Sequence, residues 1–202
     1  MKLILYSNPG NGVLEKIEND IFPKNIKTVF GYMPADGADP KPEFEPFWRN
    51  LAKQHDADFV YIDNSRKPSD DDIRKIKSIT SLAIMGGNVF SLLYNINLNG
   101  FKDLILELSE KPDFIYSGFS AGAMIVTPDI RLAGKEYGWN FGYDENFVGI
   151  SNTNGLGFVE YEIIPHYKEE FDKPKLLELQ NVNRYKIKSL SDNDFIIEEK
   201  KG

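Results

Sequence analysis

The sequence predicts an α/β fold in which helices cover both faces of a mainly parallel sheet. Short apolar segments that suit buried strands alternate with segments whose apolar residues recur at helical spacing. Two of the apolar segments end in glycine-containing turns directly before a helix. The chain of 202 residues is long enough to bury a substantial core, and we expect a single domain over residues 1–202.

The elements follow one another in regular order up to about Ile125. Buried strands are predicted over residues 2–7, 28–33, 59–62, 81–85 and 114–117. Helices are predicted over residues 13–21, 44–52, 70–79 and 101–108, with a further helix after Gly86-Gly87 and a short one after Ser120. This alternation implies right-handed crossovers and places a ligand site at the carboxyl ends of the strands.

The pattern loosens after Ile125. Residues 134–157 are rich in glycine and aromatic side chains, which predicts a functional loop or a small hairpin layer and not a disordered segment. Residues 158–164 are typical of a strand that runs into Pro165-His166-Tyr167. A helix is expected around residues 175–179, and residues 185–188 and 195–197 are typical of a closing antiparallel pair.

Composition excludes several classes of function. The net charge of -7 argues against a nucleic-acid partner, because phosphate binding needs a concentrated basic patch. The absence of cysteine excludes a disulfide framework, a thiolate zinc site and a cysteine nucleophile. No apolar run suits a membrane span or a signal peptide, so we expect a cytoplasmic protein without a membrane partner. Neither a metal nor another cofactor is expected, since Asp70-Asp71-Asp72 is better explained as the acidic first turn of a helix.

A G-x-S-x-G motif makes Ser120 the candidate nucleophile. Gly118 and Gly122 flank Ser120 at the junction of a strand and a helix, where a sharp turn lifts the serine oxygen out of the sheet. The N–H groups that open the following helix face the place where negative charge develops in acyl transfer. Small residues also surround serines in ordinary turns, so this motif alone does not decide between the two interpretations.

Two other features bear on this candidate. Gly86-Gly87 ends the preceding strand and presents backbone N–H groups at the same edge of the predicted sheet. The chain has two histidines, and any imidazole chemistry must use one of them. His55 closes a predicted helix, where a cation interacts favourably with the helix dipole, so capping explains it better than a catalytic role.

Three short sequence motifs, in the order in which they occur along the chain, resemble those of the dipeptidase E and cyanophycinase family of serine peptidases. They are Gly86-Gly87-Asn88-Val89-Phe90, Gly118-Phe119-Ser120-Ala121-Gly122-Ala123 and Pro165-His166-Tyr167. The likeness spans residues 2 to about 167. It implies a three-layer α/β/α sandwich of the flavodoxin-like, class I glutamine-amidotransferase-like kind that hydrolyses small peptides.

The resemblance also implies roles for individual residues. Ser120 would attack the peptide carbonyl, and His166 would take its proton and return it to the leaving amine. The N–H groups of Gly87 and Ala121 would hold the oxyanion, and Asn88 would orient the substrate. Val89 stands where the family usually has threonine, which predicts the loss of a hydroxyl from the rim of the site.

The third member of the site departs from the family pattern. Residues 128–131 match the family, but the position of the expected acid falls near Lys135. Glu136 is the first choice for the carboxylate that orients the histidine and Asp129 the second, and the other candidates are Asp144, Glu145 and Glu162. Residues 168–173 contain no arginine, so the preference of some family members for acidic substrates is not expected here unless Arg131 or Lys168 takes the place of that arginine.

Two functions remain after this comparison. The first is a serine peptidase with a Ser-His-acid site that acts on small peptides. The second is a catalytically weak or inactive homologue that binds a peptide or small metabolite in the same cleft, suggested by the missing acid and by Val89. An amidotransferase-type glutaminase is excluded because that chemistry uses a cysteine and the chain has none.

Overall fold

The computed structural model describes residues 1–36, 44–135 and 144–200, and its centre is a six-stranded sheet. The strands of this sheet are β1 (Lys2–Tyr6), β2 (Val29–Met33), β3 (Asp58–Tyr61), β4 (Ser81–Ile84), β5 (Ile115–Phe119) and β8 (Phe195–Glu199). Their spatial order is β3-β2-β4-β5-β1-β8. All neighbours pair in parallel except β8, which runs antiparallel to β1 at the edge.

Helices connect the parallel strands. They are α1 (Val13–Ile21), α2 (Phe44–Gln54), α3 (Asp70–Lys77), α4 (Val89–Leu98), α5 (Phe101–Ser109), the short α6 (Ala121–Met124) and α7 (Glu169–Val182). A 3₁₀ turn covers Arg131–Ala133. The predicted α/β class with a mainly parallel sheet is confirmed, because parallel neighbours require such crossover helices.

The two faces of the sheet carry separate apolar clusters, which makes the arrangement three-layered. Leu3 and Leu5 of β1 point into a cluster shared with α3, α4 and α5. Ile4 and Tyr6, one residue out of phase, point into a second cluster with α1 and α2. This follows from the period of two along a strand, which sends successive side chains to opposite faces.

A second, two-stranded sheet corrects one prediction. The predicted closing antiparallel pair is wrong, because β7 (Lys186–Ser189) pairs in parallel with β6 (Tyr161–Ile164), while β8 pairs with β1. Both segments form strands as expected, but each finds a different partner. The connection between β7 and β8 is thereby carried to the carboxyl end of β1, where Tyr6 is the register partner of Phe195.

The helices of the described ranges are short, the longest being the 14 residues of α7. None of them is both long enough and apolar enough to cross a bilayer.

Candidate active site

Ser120 sits in a strained turn between β5 and α6. Its φ and ψ angles are 50° and -105°, in a region that residues with a side chain rarely adopt. The Ser120 N–H donates a hydrogen bond to the Tyr6 carbonyl oxygen at 3.0 Å, and its own carbonyl accepts from the N–H groups of Ala123 and Met124. These bonds hold the turn and leave the side-chain oxygen at the strand edge.

The two glycines of the motif are required by close backbone contacts. A Cβ atom on Gly118 would collide with the carbonyl oxygen of Gly122, and a Cβ atom on Gly122 would collide with the carbonyl oxygen of Ile84 at the end of β4. The turn can therefore pack against the neighbouring strand only because both positions lack a side chain. The Tyr116 hydroxyl donates to the Gly122 carbonyl oxygen at 2.7 Å and fixes the same turn from the core.

His166 follows β6 and faces Ser120. Its Nε2 atom lies 2.9 Å from the Ser120 Oγ atom, within hydrogen-bond distance. His166 also has a positive φ of 56°, and the next residue, Tyr167, donates its N–H to the Leu190 carbonyl oxygen at 3.0 Å. The imidazole is about 30% exposed, so it is partly open to solvent at the site.

Asp192 holds the other side of the His166 ring. Its Oδ1 atom lies 2.6 Å from His166 Nδ1, and its side chain is 39% exposed. Burial alone would raise the pKa of the Asp192 carboxyl, but hydrogen bonds from His166 and Ser7 outweigh this effect and hold the pKa below its usual range. Asp192 is therefore an ionised acceptor at neutral pH, which fixes the proton of a neutral imidazole on Nδ1 and leaves Nε2 as the acceptor toward Ser120.

Asp192 is absent from the carboxylates that the sequence pattern predicts. It lies in the turn between β7 and β8, where Ser191 Oγ and N–H both donate to Asp194 Oδ2. This turn reaches His166 only because β8 joins the edge of the main sheet beside β1. The sequence signal that points to it is an acid-rich polar turn between two short strands after the histidine, which by itself is typical of any hairpin.

The carboxylates predicted from the sequence lie elsewhere or outside the described residues. Glu136, the first choice, lies outside them. Asp129 Oδ2 accepts from Arg131 Nε at 2.6 Å, and Glu162 accepts from Asn183 Nδ2 at 2.6 Å, so both are engaged away from the imidazole. Glu145 is exposed.

Asp144 lies closer to the site than the other predicted acids. It lines the cavity beside Ser120, and its Oδ2 atom accepts the N–H of Val89 at 2.8 Å at the start of α4. Burial raises the pKa of the Asp144 carboxyl, an effect opposed by that hydrogen bond. Asp144 accordingly occupies the wall of the cavity, while Asp192 occupies the position at His166 Nδ1.

The two predicted oxyanion donors line the same cavity of about 510 Å³ as Ser120 and His166. Ala121 opens α6 directly after the serine. Gly87 has a φ of 148°, and a Cβ atom there would lie 2.8 Å from both Ala35 Cβ and Asp36 Oδ2. A residue with a side chain would therefore displace the loop that carries this N–H group.

Asn88 has a structural position in the same loop. Its Oδ1 atom accepts the N–H of Ser91 at 2.9 Å and so caps α4, while its Nδ2 atom donates to the Glu145 carbonyl oxygen at 3.0 Å. Asn88 is not among the described residues that line the cavity. The expectation about Val89 is wrong, because its side chain is fully buried in the core and does not reach the rim.

His55, the other histidine, ends a helix and has a structural position. Its N–H donates to the Leu51 and Ala52 carbonyl oxygens after α2, and its ring stacks on Phe22 with 4.7 Å between centroids. Within the described ranges, no group of His, Cys, Asp and Glu is arranged to hold a metal ion.

Comparisons with known proteins bear on the family and the fold of the chain. The chain is 31% identical over 93 residues to the uncharacterized peptidase Lmo0363 of Listeria monocytogenes serovar 1/2a, an alignment that covers 46% of this chain and 42% of that relative. Its fold is similar to a crystal structure of a protein provisionally assigned as peptidase E from Listeria monocytogenes EGD-e, with a TM-score of 0.69, 22% identity and coverage of 99% and 98% of the two chains. The model of peptidase family S51 matches residues 16–201, and the chain therefore belongs to this family of serine peptidases.

Proposed function

We propose that this protein hydrolyses small peptides with Ser120 as nucleophile, His166 as general base and acid, and Asp192 as the carboxylate that orients the imidazole. The observation that carries the proposal is the continuous chain of contacts from Ser120 Oγ to His166 Nε2 at 2.9 Å and from His166 Nδ1 to Asp192 Oδ1 at 2.6 Å. Nucleophile, base and orienting acid within hydrogen-bond distance are the arrangement that activates a serine.

The reaction follows from the position of the protons. His166 Nε2 accepts the Ser120 proton as Oγ attacks the peptide carbonyl carbon, and the imidazolium that forms is stabilised by ionised Asp192. The imidazolium then donates that proton to the leaving amine, which departs as the C–N bond breaks. Water, deprotonated by the same nitrogen, attacks the acyl ester and releases the acid product and free Ser120.

The developing oxyanion needs donors that are already in place. In our proposal these are the backbone N–H groups of Gly87 and Ala121, from two neighbouring turns at the edge of the sheet. Loss of one such donor costs about 3 kcal/mol of transition-state stabilisation in well-studied serine hydrolases. Asn88 is assigned a structural role, since its amide holds the start of α4 and the backbone at Glu145.

The competing hypothesis, a catalytically weak homologue that only binds a ligand, was motivated by a missing carboxylate and by Val89. Asp192 offers a carboxylate at the required nitrogen, and Val89 lies buried outside the cavity rim. These two observations support the peptidase over the weaker function, and we favour the peptidase.

The test combines covalent labelling with peptide hydrolysis. Wild-type protein is incubated with a fluorophosphonate probe and, separately, with a library of di- and tripeptides whose release of free amine is measured. We expect labelling and hydrolysis by the wild type, and loss of both in Ser120→Ala. The matched control is Ser117→Ala, because Ser117 is a fully buried serine of β5, the strand that leads into Ser120, and its hydroxyl donates to the Tyr6 hydroxyl. Absence of labelling in the wild type, or hydrolysis that survives Ser120→Ala, would contradict the proposal.

A further inference from the structure

The carboxyl end of β1 contacts all three members of the proposed triad. The Tyr6 carbonyl oxygen accepts the N–H of Ser120 at 3.0 Å. The next residue, Ser7, carries a fully buried side chain that contacts both His166 and Asp192. The Ser7 hydroxyl therefore contacts two residues of the triad, yet the triad mechanism gives it no role.

Three contacts define the geometry of the Ser7 hydroxyl. Ser7 Oγ accepts the backbone N–H of His166 at 2.6 Å and donates its own proton to Asp192 Oδ1 at 3.0 Å. It also lies 3.3 Å from His166 Nδ1, next to the bond between that nitrogen and Asp192. One oxygen therefore connects the main chain of the base with the carboxylate of the acid.

Both His166 and Asp192 need a bond that holds them in place. His166 has a φ of 56°, a conformation that is unfavourable for a non-glycine residue and persists only where surrounding bonds hold it. Asp192 comes from a turn after β7, has a side chain 39% exposed, and can rotate into solvent unless a second donor holds it. The Ser7 hydroxyl is the donor that reaches this carboxylate from the end of β1, a strand paired on both sides by β5 and β8.

Resting on the proposed function, we infer that Ser7 is a positioning residue that holds the His166–Asp192 pair in the geometry required for attack by Ser120. Ser7 is not among the described residues that line the cavity, so it acts through the pair and not on substrate. Its removal is therefore expected to slow bond formation and to leave binding nearly unchanged.

The expected effect on rate follows from the loss of a hydrogen bond to a charged group. Such a bond corresponds to about a 10- to 100-fold change in an equilibrium or rate. In Ser7→Ala we expect the limiting rate of fluorophosphonate labelling at Ser120 to fall by about this factor, while the half-saturating probe concentration stays within about twofold. Ser7→Thr, which keeps the hydroxyl, is expected to recover part of the rate. Ser117→Ala, a second fully buried serine, serves as the control with an unchanged rate.

A second measurement monitors the hydrogen bond between His166 and Asp192 without any reaction. Proton NMR detects the hydrogen-bonded imidazole N–H of His166, and assignment is direct because His55→Gln leaves one histidine. We expect a protected N–H resonance in the wild type and in Ser117→Ala, and its loss by exchange in Ser7→Ala with the folded structure preserved by circular dichroism.

The outcomes separate this inference from the proposed function. A labelling rate and an N–H resonance in Ser7→Ala equal to those of Ser117→Ala would overturn the role of Ser7. A resonance lost in Ser7→Ala, in a wild type that no fluorophosphonate labels, would support the positioning role and refute the peptidase proposal.

Discussion

Replacement of Asp192 by asparagine tests the least predictable member of the proposed site. The substitution keeps the shape of the side chain and removes the negative charge 2.6 Å from His166 Nδ1. An amide also offers a donor where the carboxylate offers only acceptors, so the imidazole can be held with its proton on the wrong nitrogen. Nε2 would then carry the proton and could no longer accept that of Ser120.

The size of the expected rate loss follows from the solvent exposure of His166 and Asp192. In a serine protease whose triad aspartate is buried, the same change lowers kcat about 10⁴-fold. Here the side chains of His166 and Asp192 are 30% and 39% exposed, and water both screens the lost charge and lets the amide rotate. We therefore expect a loss of about 100- to 1,000-fold, equivalent to about 3 to 4 kcal/mol in the activation free energy.

The assay is the rate of fluorophosphonate labelling together with hydrolysis of whichever peptide the wild type cleaves. Glu170→Gln is the charge-matched control, since Glu170 is an exposed acid in the first turn of α7. Glu136→Gln and Asp129→Asn, made alongside, are expected to stay within about fivefold of the wild type. An unchanged rate in Asp192→Asn, or a loss found instead in Glu136→Gln, would refute the assignment of Asp192.

Two predictions concern stability. Burial raises the pKa of the Glu162 carboxyl from 4.5 to about 7. Between these pH values the folded state binds a proton that the unfolded state has lost, so the free energy of unfolding falls as pH rises through this range. Measured by urea unfolding, Glu162→Gln should therefore be more stable than the wild type by about 3 kcal/mol at pH 8 and similar to it at pH 4. Equal pH dependence in both proteins would contradict this. Gly122→Ala places a Cβ atom against the Ile84 carbonyl oxygen and should cost about 3 kcal/mol or more, whereas Gly100→Ala, with φ of 80° and open space, should cost about 1 to 2 kcal/mol. Similar melting temperatures for the two alanine variants would show that the turn between β5 and α6 tolerates a side chain.

The features that depend on local sequence were predictable. A strand that ends in Gly118-Phe119-Ser120-Ala121-Gly122 indicates a strained turn, because only glycine permits the contacts made by the two flanking positions. The alternation of strands and helices likewise predicts parallel pairing, since a parallel neighbour requires a crossover. Proline and glycine marked most element boundaries for the same local reasons.

Partner choice between distant segments was not predictable in the same way. The alternation in Lys186–Ser189 and the apolar cluster that opens Phe195–Glu199 indicate strands, but they do not say which strand lies beside each. A hairpin between them is the local solution, yet β7 pairs with β6 and β8 with β1. The error about this pairing and the omission of Asp192 therefore have one cause, since the turn between the two strands carries that residue.

Sequence by itself determined the fold class, the candidate nucleophile and the choice of His166 over His55, because each depends on residues adjacent in the chain or on a scarce residue type. Only the tertiary structure decided which carboxylate meets His166 and that Ser7 lies beside both. Asp192, His166 and Ser7 come from the β7–β8 turn, the end of β6 and the end of β1. Their meeting depends on the edge pairing of β8 with β1, a contact between segments almost the whole chain apart that no local pattern encodes.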